Sequence, residues 1–197
     1  GVDHAQGTRL LSDWMLKKVN YQADYLMLYF SPGYISQMRG DTFATEASRY
    51  PEVKQVAQFF TDGDRKKAYK ATMRALQKYP SINMIYANST DIALGALQAL
   101  REQGRDESVL LNGWGGGSAE LEVLKDSQLD VTVMRMNDDN GVAMAEAIKL
   151  DLEGSGDQVP HIFAGDIKLL HSGTSNKEIQ KLMKQAFRLS DMDQGAN

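Results

Sequence analysis

Three short stretches carry the polar chemistry of this chain. Ser89-Thr90-Asp91, Trp114 with the glycines 115–117 behind it, and Arg135 each close a short apolar run. A polar side chain at the C-terminal tip of a parallel strand stands where open α/β sheets take small molecules. Arg135 interrupts a mainly apolar strand and needs either a partner or an aqueous cleft. Trp114 offers an aromatic face suited to a sugar-like ring, beside backbone that glycine leaves open to close approach. Such a set recognises a small polar molecule and does no bond chemistry.

Each residue has a plainer role open to it. Asp91 can serve as the cap of the helix that follows. Trp114 can be core packing, and Arg135 can pair with Asp138 or Asp91. Asp138 and Asp139 stand at a helix start, where acids suit the dipole. His4, His161 and His171 are far apart in sequence and without an i, i+4 partner, so no metal site is expected. The glycine run ends without Gly-Lys-Ser and lacks the dinucleotide spacing. No nucleophile, base and acid come together, and no enzyme is expected.

The elements that must position these residues alternate. Apolar periodicity predicts helices over residues 8–19, 34–50, 64–79, 91–103, 118–125, 139–152 and 176–189. Strands are expected over 25–30, 53–60, 82–87, 109–113, 129–135 and 161–170. Gly104 closes one helix, and Gly154-Ser155-Gly156-Asp157 breaks another. Strict alternation implies an α/β fold: a mainly parallel, Rossmann-like sheet with helices on both faces.

Bulk properties narrow the class. The chain has 197 residues, 42% of them hydrophobic, with a net charge of −4 and no cysteine. A basic face for nucleic acid is not expected. Disulfides and thiolate metal sites are excluded. No apolar run reaches the roughly 18–20 residues needed to span a bilayer.

The order of motifs resembles the type I periplasmic binding proteins. The resemblance rests on Val2-Asp3-His4-Ala5-Gln6-Gly7, Arg39-Gly40, the string from Ser89 through Leu97, and Val131-Thr132-Val133 followed by Gly141. It implies two Rossmann-like lobes joined by crossing strands, with a ligand clamped between them. By this resemblance, residues 1–133 form the C-terminal, ligand-binding lobe. Residues 134–162 return to the N-terminal lobe, and 163–197 supply a crossing strand, the last helix and a tail. The bulk of the N-terminal lobe is expected to lie outside this chain, as a partner that completes the site.

Within that family, longer strings are similar to the LuxP group of autoinducer-2 receptors. They are Tyr29-Phe30-Ser31, Gly33-Tyr34-Ile35-Ser36, Arg39 through Phe43, Asn112 through Leu121, and Val133 through Asp139. The resemblance implies ligand contacts at Arg39, Thr90, Asp91, Trp114 and Arg135. It also implies no cofactor, a periplasmic location without membrane insertion, and a membrane sensor kinase of LuxQ type that detects cleft closure. Where sugar-binding relatives usually carry Asp and Gln, this chain has Gly115 and Arg135. That makes the half-cleft more positive by about two formal charges, which suits an oxygen-rich anion such as a furanosyl borate diester. The alternative is a ribose-like ligand delivered to an ABC transporter. A LacI-type effector domain shares the fold and would need a helix-turn-helix before it.

Overall fold

A computed structural model describes residues 3–156 and 165–187, the side chains of 137–143 excepted. The chain divides into two compact units. The larger takes in His4–Met134 and Leu169–Gly173; the smaller takes in Arg135–Lys168 and Thr174–Asn197, with Gly1–Asp3.

The larger unit is built on a parallel sheet. Helix α1 (His4–Lys18) leads to β1 (Ala23–Tyr29), whose residues are buried except for Asp24. A strand covered on both faces reads as a continuous apolar run, and Tyr25 through Tyr29 is one. Then come α2 (Thr42–Ala47), β2 (Val53–Phe60), α3 (Arg65–Lys78), β3 (Ile82–Ala87), α4 (Thr90–Glu102), β4 (Leu110–Leu111) and α5 (Ser118–Lys125). The strand order is β2-β1-β3-β4, all pairs parallel. Bridges from Asn112 to Val131 and from Gly115 to Met134 carry the sheet on to β5 (Val131–Arg135).

Asp64 starts α3 by accepting a hydrogen bond from the Lys67 N–H at 2.8 Å. Exposed caps of this kind contribute about 1 kcal/mol. Asp64→Ala is therefore expected to lower stability by about that amount, read as a shifted midpoint in urea denaturation. Helix α4 is apolar nearly all round because it packs closely on α3. A Cβ at Gly95 would stand 2.2 Å from the backbone oxygen of Arg65, so only glycine lets the two helices come this near. Gly104, at φ +63°, ends α4 in the left-handed region.

The helix expected over 34–50 is interrupted. Ser36–Asp41 forms a π-helical turn before α2, and α2 ends at Ala47. One extra residue per turn rotates the side chains that follow and often marks a functional place. A Cβ on Gly40 would stand 2.2 Å from the Tyr29 ring, so glycine lets this turn press on β1.

In the smaller unit, α6 (Asn137–Leu152) contacts α7 (Asn176–Phe187). Met144, Ile148 and Leu152 follow one face of α6 at helical spacing and are exposed. β5 pairs with β6 (Ile167–His171). Met136 N–H donates to Asp166 O, and Ser172 N–H donates to Asp130 O, so these two strands run antiparallel. The expected strand over 161–170 is thus described only from Gly165 on. His161 lies outside the described residues. No described helix is long and apolar enough to cross a membrane.

Candidate functional site

The tips of β3 and β4 separate around one side chain. Backbone pairing of β3 with β4 stops at Ile85 and Leu111. Beyond it the Asn112 amide takes over: Ala87 N–H donates to its Oδ1 at 2.8 Å, and its Nδ2 donates to Ala87 O at 2.9 Å. The polypeptide then turns into the segment that carries Trp114.

Trp114 is almost wholly buried, at 1% exposure. Its indole N–H donates to Thr8 Oγ1 at 3.3 Å, and Thr8 in turn meets the Tyr86 hydroxyl at 3.2 Å. The guanidinium carbon of Arg39 lies 3.7 Å from the centre of the indole ring, and the His4 ring stands 5.3 Å away. A cation over an indole face, out of water, is held by the ring's quadrupole.

Arg39 is brought there by the π-helical turn, and only 6% of it is exposed. Its Nη1 donates to Asn88 O at 2.7 Å and its Nε donates to His4 Nδ1 at 3.3 Å. Arginine has no acceptor, so His4 Nδ1 must be the bare nitrogen of that pair. The guanidinium is therefore fixed from α1, from the end of β3 and by Trp114. As a helical position read alone it would be solvated; the structure buries it.

The residue that organises the loop is Glu120, which sequence reasoning passed over. Its carboxylate is fully buried. It accepts from Trp114 N–H at 3.1 Å and from Gly116 N–H at 3.0 Å, and also from the Thr132 hydroxyl. Loss of solvation on burial pushes its carboxyl above the usual glutamate range, and these bonds pull part of the way back. The glycines around Trp114 make room for protein atoms. A Cβ on Gly113 would stand 2.2 Å from the Glu120 carboxyl carbon, and one on Gly116, at φ +69°, 2.7 Å from Met134. The signal available in the sequence was a glutamate three residues into a helix, which reads equally as an acid favoured by the dipole.

Thr90 and Asp91 open α4. Thr90 Oγ1 makes a long hydrogen bond of 3.5 Å to Trp114 O. Asp91 lies inside the first turn with an exposed side chain, and the cap position falls to Ser89 instead. The structure therefore joins Arg39, Thr90 and Trp114 directly and leaves Asp91 at the margin of the group. Beside them, both side-chain atoms of Asn88 and the hydroxyl of Ser89 are buried without a hydrogen-bond partner among the described residues. Unpaired buried polar atoms are costly, and in a folded protein they ask for an explanation. Arg135 belongs to the smaller unit, at the end of β5; its Nε is likewise buried without a partner. No group of three metal-ligating side chains gathers among the described residues.

A family model described as a periplasmic binding protein domain matches residues 1–158. The chain belongs to that family. The periplasmic binding protein chain is 30% identical over 155 residues to the ribose import binding protein RbsB of Bacillus subtilis (strain 168), which covers 77% of this chain and 49% of that protein. It is 32% identical over 130 residues to the D-allose-binding periplasmic protein of Escherichia coli (strain K12), 66% of this chain and 42% of that one. It thus spans about half the length of these relatives. Among solved structures, the binding protein of the arabinose ABC transporter from Shewanella sp. ANA-3 superposes with a TM-score of 0.84 at 20% identity. That match covers 94% of this chain and 62% of the other. The fructose-binding periplasmic domain of a hybrid two-component system gives 0.82 at 22% identity, covering 98% and 63%. These likenesses establish the α/β fold with its parallel sheet and flanking helices.

Proposed function

We propose that this is part of a periplasmic solute-binding protein that takes a small, oxygen-rich ring at the tips of β3 and β4 and does no chemistry on it. The observation that carries the reading is the Arg39–Trp114 pair set beside the unpartnered polar atoms of Asn88 and Ser89. A guanidinium held against an indole ring, with spare hydrogen-bonding atoms beside it, suits the hydroxyls of a sugar. The names of the relatives, which give ribose and D-allose, support a pentose- or hexose-like ligand passed to a transporter. Ligand and protein then favour one closed conformation in common, which a membrane partner reads.

A second reading is favoured by the charge of the residues concerned. The ligand set implied by the resemblance holds two guanidiniums, Arg39 and Arg135, against the single carboxylate of Asp91. Charge-assisted donors of that kind prefer an anion with paired oxygens. On this reading the ligand is the borate diester of autoinducer-2, and the partner is a membrane sensor kinase of LuxQ type.

Calorimetric titration of the whole protein decides between them, with ribose, D-allose and the autoinducer precursor with and without borate. Sugar binding indifferent to borate supports uptake; tight binding that needs borate supports the signal. Failure of all four titrations overturns the shared reading. Arg39→Met keeps the buried stem and removes the charge. It is expected to weaken an anionic ligand by about 100-fold and a neutral ring by about tenfold, read as a change in Kd in a variant whose melting curve shows it folded.

A further inference from the structure

Helix α3 carries Arg65, Lys66, Lys67, Lys70, Arg74 and Lys78 and no acid. Removing these six from the chain's 22 basic residues leaves 16 against 26 acidic ones. Outside this helix the chain therefore carries a formal charge of −10, from 16 basic and 26 acidic side chains. All six are exposed. Only Lys67 forms an ion pair among the described residues, with Asp62. Lys66 and Lys70, Lys70 and Arg74, and Arg74 and Lys78 each stand four residues apart, where like charges destabilise a helix. Arg65, Lys66 and Lys67 in the first turn also oppose the dipole. An ordinary solvated helix face mixes signs.

The basic face adjoins apolar surface. Phe59 and Phe60, at the end of β2, line a hollow of about 190 Å³ with Lys67, Lys70, Ala71 and Arg74. Phe60 is 48% exposed, and its ring stacks on Tyr29. β2 is the edge strand of its sheet and pairs only with β1 among the described residues. An edge strand ending in an exposed aromatic is a template for another chain unless it is covered.

We propose that the α3–β2 face docks an acidic segment of a protein partner. An apolar side chain of that segment fills the hollow, and its carboxylates meet Lys70 and Arg74. Charge complementarity selects the partner's sign, and the hollow beside an open strand edge selects a polypeptide. The face is formed apart from the ligand-contact residues, so it does not depend on which solute is bound.

The test uses the whole protein and three short labelled peptides: glutamate alternating with phenylalanine, glutamate with serine, and lysine with phenylalanine. Fluorescence anisotropy is expected to show binding of the first alone. That binding should weaken about tenfold in the double variant Lys70→Glu/Arg74→Glu and again when salt rises from about 50 to 200 mM. Amide shifts on binding should fall on β2 and α3. Both substituted residues are exposed, and a melting curve establishes that the variant folds. No binding of the first peptide, or equal binding by the variant, overturns the proposal. So do stronger, charge-dependent binding to phosphatidylglycerol vesicles, which would turn this face to a membrane, and shifts that map elsewhere.

Discussion

Glu120→Ala is expected to cost about 3–5 kcal/mol of stability, because it strands three buried donors at once. The N–H groups of Trp114 and Gly116 and the hydroxyl of Thr132 all point at the missing carboxylate. Alanine offers them nothing, and the glycine at position 113, which exists to admit the carboxylate, then faces a void. A guanidinium chloride midpoint at neutral pH measures the loss. The pH dependence separates charge from hydrogen bonding. Burial holds the folded-state carboxyl above its ordinary value. As pH rises, the unfolded chain therefore gives up this proton first, and the native state holds the extra proton in between. Stability from this group is greatest at low pH and falls as pH rises from the ordinary glutamate range through the folded value. Glu120→Gln removes that slope. It also turns an amide N–H₂ towards one of the backbone donors, so some stability is lost at every pH. A flat curve for Glu120→Gln, set against a wild type that loses stability as pH rises, is the expected pair, so the gap between them narrows towards high pH.

The second large effect lies away from the site. Gly95→Val puts a branched side chain where a Cβ already stands 2.2 Å from Arg65 O and 3.0 Å from the Ala68 methyl. The obstacle is backbone at the first residue of α3, which side-chain rotation cannot clear. Overpacking of this type costs about 3 kcal/mol, which for a chain of this size lowers Tm by about 6–12 °C. Differential scanning calorimetry reads the shift. An unchanged Tm would mean that α3 and α4 can separate without loss, contrary to the close crossing described above.

The order of helices and strands could be read from the sequence because it rests on periodicity. Ile82–Ala87 and Ser118–Lys125 are found where apolar spacing puts them. The departures come from interactions that periodicity does not encode. β4 is only Leu110–Leu111, because the Asn112 side chain takes over from backbone pairing. The helix over 34–50 opens with a π-helical turn that presses Gly40 on the Tyr29 ring of the preceding strand, a packing contact that periodicity does not encode. Arg39 and Trp114 were brought into one site by resemblance. The structure adds what resemblance did not, namely that they stack on each other and are locked by His4, Asn88 and Thr8. Glu120 was invisible because a buried glutamate and a solvated one look alike in a helical pattern, and only the donors around it tell them apart.

The amide of Asn112 has a consequence for recognition. Where β3 and β4 part, their distance is set by the reach of one side chain and no longer by the fixed spacing of a ladder. The gape at the tips is thus written in a single residue type. On the proposed reading, a shorter or longer substitute there would retune which molecules are admitted before any residue that touches them had changed.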